Sequence, residues 1–147
     1  MNSKNIILLV EDNPGDTLLA LRALKQHEIT HEIVVAHDGA EAVQYLLGTG
    51  TFMGRSIPLK PRLVLLDLKM PKIDGLEVLR RLRADSRTKI LPVVILSTSK
   101  EEEDILKSYN LGANSYICKP IDFDQFTKAI ENLGLYWLTL NEFCLPF

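Results

Sequence analysis

The chain alternates between short, almost wholly apolar runs and longer segments in which apolar side chains recur at helical spacing. Five such pairs occur along its 147 residues. An apolar run of about four to eight residues is typical of a strand buried on both faces. A strand followed by a helix is the unit that builds parallel sheets. The alternation therefore predicts an α/β fold, a doubly wound parallel sheet covered by helices on both faces.

The bounds of the predicted elements follow from where each apolar pattern begins and ends. Strands are predicted over residues 6–10, 32–36, 63–67, 93–96 and 115–118, and helices over residues 14–26, 38–47, 74–84, 101–110 and 122–133. Pro14 suits the first turn of a helix, where its missing N–H costs no hydrogen bond. Asp38, with Glu41 three residues later, has the pattern of a helix N-cap. We therefore expect five strand–helix pairs in one domain.

Length, charge and cysteine content narrow the class of protein. A chain of 147 residues fits one domain with an ordinary hydrophobic core. Its formal net charge of −2 provides no basic face, so we expect no nucleic-acid partner. The two cysteines, Cys118 and Cys144, lack a CxxC spacing, and the run at residues 6–10 is too short for a signal peptide or a membrane span. We expect a cytoplasmic protein that does not enter the membrane.

Residues 48–61 form a predicted connection that is longer than usual. The segment is rich in glycine, threonine and proline and separates the second helix from the third strand. Two interpretations stay open: a tolerated surface insertion, or a loop that contacts a partner.

Polar side chains collect where the predicted strands end. In an open parallel sheet, ligands bind outside the carboxyl ends of the strands. The residues at these ends are Glu11 and Asp12 after the first strand, Asp67 at the end of the third, Ser97 and Thr98 after the fourth, and Lys119 with Pro120 after the fifth. Each alone is commonly a helix cap or a turn residue. Together, at four strand ends, they indicate a functional site.

Three of these side chains are carboxylates, which repel one another at close range. Such a cluster must either raise a pKa or bind a cation, and Mg²⁺ prefers oxygen ligands while keeping several waters. We expect Asp12 and Asp67 to be direct ligands and Glu11 to act through water. The backbone carbonyl of Lys69 completes the predicted ligands from the protein.

Asp67 is the predicted nucleophile of this pocket. A cation beside it offsets the negative charge of both the carboxylate and an incoming phosphoryl group. Lys119 supplies further positive charge, to Asp67 before transfer and to a phosphoryl oxygen afterwards. The Ser97 hydroxyl is placed to bond the new oxygens and draw its loop inward. The sequence therefore predicts a phosphoacceptor switch centred on Asp67.

Over residues 4–135 the sequence resembles the receiver domain of bacterial two-component response regulators. The resemblance rests on ILLVEDN at residues 7–13, LLDLKMP at residues 65–71 followed by Asp74-Gly75, and GANSY at residues 112–116 followed by Lys119-Pro120. It implies a flavodoxin-like (βα)5 fold with strand order 2-1-3-4-5, and phosphorylation of Asp67 by a histidine kinase. It also implies a switch through Ser97 and Tyr116, whose ring turns inward on activation. The alternative for Tyr116 is a half-buried strand aromatic.

At Lys69 the sequence differs from that of a related class of enzymes. Phosphatases of the haloacid-dehalogenase type carry a second Asp two residues after the acceptor, where it serves as general acid and base. Lys69 occupies that position here. Because no base is then positioned to activate a water, we expect the phosphoaspartate to persist.

The C-terminal residues are unusually apolar and aromatic. We expect residues 1–135 to form the receiver domain and residues 136–147 to form an extension that includes the only tryptophan, Trp137. The extension either folds back on its own domain or meets the same surface of a second copy, and its aromatic content favours a homodimer. With the insertion before strand three, it resembles the stand-alone, dimeric response regulators of cyanobacterial phytochrome histidine kinases.

Two other classes of protein compete with the phosphoacceptor. A small haloacid-dehalogenase-like phosphatase also forms an aspartyl phosphate, but Lys69 and the absence of a cap domain from the sequence argue against it. A flavodoxin-like nucleotide or flavin carrier has the same sheet order. Such a carrier needs a glycine-rich loop after strand one, where this chain has Glu11-Asp12.

Overall fold

The computed structural model describes residues 6–26, 32–48, 61–119, 122–137 and 142. Within these ranges five strands alternate with five helices. The strands are β1 (Ile6–Val10), β2 (Glu32–Ala36), β3 (Leu63–Leu66), β4 (Val93–Ser97) and β5 (Ser115–Cys118). The helices are α1 (Pro14–Gln26), α2 (Gly39–Leu47), α3 (Gly75–Ala84), α4 (Glu102–Asn110) and α5 (Phe123–Leu135).

The strands form one parallel sheet in the order β2-β1-β3-β4-β5. β1 lies between β2 and β3, so that Leu9 is paired with both Val35 and Leu65. Every strand pair is parallel, which brings all five carboxyl ends to one edge of the sheet. The predicted doubly wound fold and its strand order are confirmed.

Most predicted bounds agree with the structure to within one residue. β3 ends at Leu66, so Asp67 lies just beyond the strand, although its N–H still donates to the carbonyl of Val10 at 3.1 Å. β4 includes Ser97, which was expected one residue past the strand. α5 extends two residues beyond the predicted end at residue 133, because Leu133 packs into the core and holds the last turn.

Two apolar layers enclose the sheet. Side chains alternate along β1, so that Leu8 faces one layer and Leu9 faces the other. The layer on the side of Leu8 contains residues from α2 and α3, among them Ala42, Tyr45, Val78, Leu79 and Leu82. The layer on the side of Leu9 contains residues from α1 and α5, among them Ala20, Ala23, Leu24, Phe126 and Ile130. The sheet is therefore buried on both faces, which explains why its strands are almost wholly apolar.

Aspartate N-caps fix the starts of three helices at the carboxyl edge of the sheet. Asp38 accepts a hydrogen bond from the N–H of Glu41 at 2.8 Å, which confirms the predicted cap of α2. Asp74 and Asp122 accept the equivalent bonds at the starts of α3 and α5. Each cap contributes about 1 kcal/mol to stability. The caps of α3 and α5 thereby fix the helix starts that follow Asp67 and Lys119.

The described part of the C-terminal extension begins on the domain itself. Trp137 packs against the apolar layer formed by α1 and α5, and its ring makes an edge contact with Tyr136 at 5.0 Å between centroids. The side chain of Tyr136 is half exposed. The rest of the extension, apart from Glu142, lies outside the described residues, as do residues 49–60 of the long connection.

Among the helices that the structure describes, none combines the length and the apolar character needed to span a membrane.

Candidate metal centre

Adjacent strands bring three carboxylates together at the carboxyl edge of the sheet. Glu11 and Asp12 follow β1, and Asp67 follows its neighbour β3. Each offers a carboxylate oxygen that lies within 4.8 Å of the other two. Glu11 and Asp67 are buried, whereas Asp12 is exposed. The structure therefore brings together the three residues that were expected to hold a cation.

Lys119 reaches this cluster from the end of β5. Its N–H donates to the carbonyl of Ser97 at 2.7 Å, which continues the pairing of β4 and β5 by one residue. Its Nζ lies 2.6 Å from Glu11 Oε1, 2.9 Å from Asp16 Oδ2 and 3.8 Å from Asp67 Oδ2. The side chain of Lys119 is only 9% exposed, so its charge is screened little by solvent. The expected pairing of Lys119 with Asp67 is present as a close contact rather than a hydrogen bond.

Burial dominates the electrostatics of the pocket. It raises the pKa of Glu11 to about 7, although the hydrogen bond to Lys119 acts in the opposite direction. Burial also raises the pKa of Asp67. For Lys119, burial acts to lower the pKa, but hydrogen bonds to Glu11 and Asp16 outweigh it and raise that pKa. The positive charge of Lys119 therefore only partly offsets the effect of burial on the pKa values of Glu11 and Asp67.

A hard divalent cation fits this set of side chains. The cluster supplies only oxygen ligands, it is partly open to solvent through Asp12, and its negative charge is only partly offset by Lys119. Mg²⁺ and Mn²⁺ both accept carboxylates together with water at such sites. The acidic pocket formed by Glu11, Asp12 and Asp67 is therefore a divalent metal site.

The backbone around Asp67 is fixed by the start of α3. The N–H of Gly75 donates to the carbonyl of Leu68 at 2.9 Å. A Cβ at Gly75 would overlap the carbonyl oxygen of Asp67 and lie 2.8 Å from the Cα of Leu68. Only glycine therefore allows the helix to approach the strand end this closely.

Lys69 contributes its backbone to the pocket but directs its side chain elsewhere. Its N–H lies 3.5 Å from Asp67 Oδ1, which is a weak hydrogen bond. Its Nζ lies 3.6 Å from Asp104 Oδ2 on α4, and the side chain is largely exposed. The position two residues after Asp67 therefore presents an ammonium to α4 and no acid or base to the pocket.

Ser97 in β4 and Tyr116 in β5 are both hydrogen-bonded to Ser99, in the loop that follows β4. Ser97 is fully buried, and its Oγ accepts a hydrogen bond from the N–H of Ser99 at 3.1 Å. The hydroxyl of Tyr116 donates to the carbonyl of Ser99 at 2.8 Å, and its ring packs partly buried against the apolar layer of α2 and α3. Thr98, between the two serines, is exposed. The two expected switch residues are thus both hydrogen-bonded to the backbone of Ser99.

Sequence reasoning missed three residues of this network. Asp16 contacts Lys119, and Ser99 and Asp104 join the loop after β4 to α4 through a 2.6 Å hydrogen bond from Ser99 Oγ to Asp104 Oδ2. The signal for Asp16 was an acid in the first turn of α1, which by itself indicates only favourable interaction with a helix N-terminus. Ser99 acts through its hydroxyl and also through its backbone N–H and carbonyl, for which residue identity gives no signal.

The fold and the site together indicate a class of protein. A doubly wound sheet that gathers buried carboxylates and a lysine at its carboxyl edge is a metal-binding domain with an acidic side chain placed to accept a group. The sequence matches the family described as the response regulator receiver domain over residues 7–131. The chain belongs to this family and is a phosphoacceptor signalling protein.

Two curated relatives match along most of their length. One is described as a probable methanogenesis regulatory protein, FilR2, of Methanothrix harundinacea, with 42% identity over 92% of this chain and 85% of that protein. The other is response regulator Rcp1 of Synechocystis, with 36% identity over 93% of this chain and 91% of that protein. Family membership decides against the phosphatase and the flavin carrier.

Solved structures agree with this assignment. The phosphorylated form of the cyanobacterial phytochrome response regulator RcpA superposes with a TM-score of 0.88 at 40% identity, covering 98% of this chain and 99% of that one. The Mn²⁺-bound form of Rcp1 superposes with a TM-score of 0.87 at 35% identity, covering 96% of this chain and 99% of that one.

Proposed function

We propose that the chain accepts a phosphoryl group on Asp67 from a sensor histidine kinase and so acts as a response regulator in phosphorelay signalling. The observation that supports this most strongly is the placement of Asp67. This residue is 7% exposed and lies at the carboxyl edge of the sheet. It clusters with Glu11 and Asp12, and the ammonium of Lys119 lies 3.8 Å from its Oδ2. Glu11 shares the burial, the cluster and the lysine, but it is engaged by Lys119 at 2.6 Å, whereas Asp67 is not hydrogen-bonded to that lysine.

In the proposed reaction, an oxygen of the Asp67 carboxylate attacks the phosphorus of a phosphohistidine. A new O–P bond forms, the P–N bond breaks, and the kinase imidazole leaves with the electron pair of that bond and takes up a proton. Lys119 faces the carboxylate before transfer and donates to a phosphoryl oxygen afterwards. A bound Mg²⁺ would offset the charge of the carboxylate and of the arriving phosphoryl group.

The proposed Mg²⁺ ligands are side chains of the acidic pocket. Asp12 and Asp67 supply direct carboxylate oxygens, Glu11 acts through water, and the backbone carbonyl of Lys69 adds a fourth contact. Support comes from the three clustered carboxylates and from Rcp1, a relative whose Mn²⁺-bound form has been solved. The raised pKa of Glu11 gives a further reason, since burial disfavours its charge even beside Lys119 and a bound cation would offset that effect.

Ser97 and Tyr116 are the proposed switch. Ser97 Oγ now accepts from Ser99, and its hydroxyl hydrogen is available for a phosphoryl oxygen on Asp67. Movement of Ser97 would shift Ser99, whose carbonyl accepts the hydroxyl of Tyr116. Phosphorylation at Asp67 would thereby change the loop that leads into α4 and the surface that α4 and α5 present.

The proposed partners are a phytochrome-type histidine kinase and a second copy of the chain. The first rests on RcpA, a phytochrome response regulator that superposes over nearly the whole chain. The second rests on the aromatic extension, in which Trp137 packs on its own domain while Tyr136 remains half exposed. In this proposal residues 1–135 form the receiver domain, residues 136–147 reach the partner copy, and signalling takes place in the cytoplasm.

We expect the acyl phosphate to persist, because Lys69 places no general base beside Asp67. The side chain of Lys69 lies against Asp104 instead. The measurement is the time course of phosphate loss from purified phosphoprotein in Mg²⁺ after the donor is removed. Loss within seconds would contradict this expectation.

Uptake of phosphate from a small donor tests the proposed function. Wild type, Asp67→Asn and Asp124→Asn are incubated with acetyl phosphate, with and without Mg²⁺, and their intact masses are compared. Asp124 is an exposed acid in the first turn of α5 and serves as the matched control. We expect Mg²⁺-dependent uptake by wild type and Asp124→Asn but none by Asp67→Asn. Equal uptake by all three proteins would sink the proposal.

A further inference from the structure

Lys119 is held by a carboxylate that does not belong to the metal centre. Its Nζ lies 2.9 Å from Asp16 Oδ2, against 3.8 Å from Asp67 Oδ2. Asp16 lies in the first turn of α1 and is not part of the cluster of Glu11, Asp12 and Asp67. Among the carboxylates that contact Lys119 in the described residues, Asp16 is thus the one that neither binds the cation nor receives phosphate.

The carboxylate of Asp16 is not needed to cap α1. Asn13 performs that task, since its Oδ1 accepts from the N–H of Asp16 at 3.0 Å. An acid three residues after a cap often reaches back to the N–H of the capping residue. Here the N–H of Asn13 donates to Glu11 Oε2 at 3.3 Å, and the Asp16 carboxylate turns to Lys119 instead. The contact with Lys119 is therefore the main polar contact of this side chain.

Lysine needs such an anchor because its charge sits on a flexible four-carbon stem. In the structure Glu11 is its nearest partner at 2.6 Å. Glu11 is also a proposed ligand of the cation, through water, so its hold on Lys119 weakens when the cation binds. When Asp67 is phosphorylated, its carboxylate becomes part of an acyl phosphate, so Lys119 must turn from Asp67 Oδ2 to a phosphoryl oxygen. Asp16 is neither a proposed ligand of the cation nor the phosphate acceptor, so its contact with Lys119 does not compete with either.

We propose that Asp16 is a positioning residue for phosphoryl transfer, which anchors the ammonium of Lys119 while the metal centre is engaged. The inference rests on the proposed function of Asp67 and extends it to a residue of α1. Asp16 is 39% exposed while Lys119 is 9% exposed, so the pair joins a solvent-facing anchor to a buried charge. Without Asp16, the carboxylates left to contact the Lys119 ammonium in the described residues are Glu11 and Asp67. In the proposed reaction these two side chains also interact with the cation.

The test is a double-mutant cycle on the rate constant for Asp67 phosphorylation by acetyl phosphate in Mg²⁺. Asp16→Ala is expected to lower this rate constant about tenfold in the wild-type background, as for contacting residues of one hydrogen-bonded network. In the Lys119→Ala background the same change is expected to have no further effect. Asp16→Asn keeps an acceptor oxygen for Lys119, so its rate constant should lie between those of wild type and Asp16→Ala.

Glu41→Ala is the matched control, because Glu41 also lies three residues after a helix cap but pairs with His37. It is expected to leave the rate constant unchanged. Three results would overturn the inference: a wild-type rate constant for Asp16→Ala, an equal loss in the Lys119→Ala background, or an Asp16→Asn protein no faster than Asp16→Ala. If Asp16→Ala does not fold, the rate constants of Asp16→Asn in the wild-type and Lys119→Ala backgrounds are compared instead. A loss confined to the wild-type background supports the inference, and an equal loss in both contradicts it. Failure of wild type itself to take up phosphate would instead sink the proposed function.

Discussion

At the scale of single residues, the pocket buries carboxylates that would be more stable as ions in water. Glu11 and Asp67 are placed where solvent cannot stabilise two adjacent negative charges, and Lys119 alone does not compensate for them. The cost is a raised pKa at both carboxyl groups in the metal-free protein. A divalent cation removes this cost, which explains why a domain that must carry still more negative charge retains buried acids here.

Cation binding is therefore expected to depend on pH in the physiological range. Burial raises the pKa of Glu11 to about 7, so Glu11 is mostly protonated below that pH and must lose its proton before the cation binds tightly. Affinity for Mg²⁺ should fall as pH drops below 7, and binding at neutral pH should release protons. Calorimetry in two buffers of different ionisation enthalpy measures both. In Glu11→Gln the proton release should shrink, whereas unchanged release would contradict this assignment.

At the scale of elements, function depends on how closely α3 approaches the end of β3. Asp74 caps the helix, and Gly75 lets its first turn lie on the backbone of Asp67 and Leu68. The acceptor side chain is held by main-chain geometry as much as by its polar neighbours. The loop after β4 is held differently, by side-chain hydrogen bonds from Tyr116 and to Asp104. That loop is accordingly the element better able to move.

Replacing Gly75 should damage both the fold and the site. Gly75→Ala forces a Cβ into the backbone of Asp67, and we expect a loss of about 2–4 kcal/mol in the free energy of unfolding. Gly15→Ala in α1 is the control, because its Cβ would meet only the side-chain oxygen of Asn13, at 3.2 Å. Urea denaturation of the two variants measures the difference. Equal stability would show that α3 can shift without cost.

Removing the Tyr116 hydroxyl should loosen the loop after β4. Tyr116→Phe loses the hydrogen bond to the Ser99 carbonyl, which is worth about 1 kcal/mol. We expect faster amide hydrogen exchange at residues 98–101 with little change in β4. Tyr109→Phe, on the exposed face of α4, is the control. Protection that is the same in both variants would mean that the hydroxyl does not hold the loop.

At the scale of the whole molecule, the sequence predicts the architecture well because one physical pattern repeats. Five apolar runs with helical segments between them admit few alternatives to a parallel sheet, and polar residues such as Glu11, Asp67 and Lys119 can lie only at its carboxyl edge. The contact of Asp16 with Lys119 was not predictable, because it depends on the rotation of α1 against β5. The bond from Tyr116 to the Ser99 carbonyl depends likewise on a loop path.

The long-range contacts of Lys119 connect elements that are far apart along the chain. Lys119, after β5, contacts Glu11 after β1, Asp16 in α1 and Asp67 after β3. We therefore expect a change of charge at Asp67 to alter the contacts that Lys119 makes with the other two residues. In the proposed switch, the loop after β4 would carry this change toward α4 through the hydrogen bond from Ser99 to Asp104. The proposed switch therefore depends on the phosphorylation of one side chain, Asp67.

Chemical location of the phosphoryl group tests that event most directly. The phosphorylated chain is reduced with borohydride, which converts an acyl phosphate on aspartate to homoserine, and the modified peptide is sequenced by mass spectrometry. We predict homoserine at residue 67 alone, and none without Mg²⁺ or in Asp67→Asn. Homoserine at residue 12 or 16, or a phosphate that resists borohydride and stays on a serine, would contradict the account.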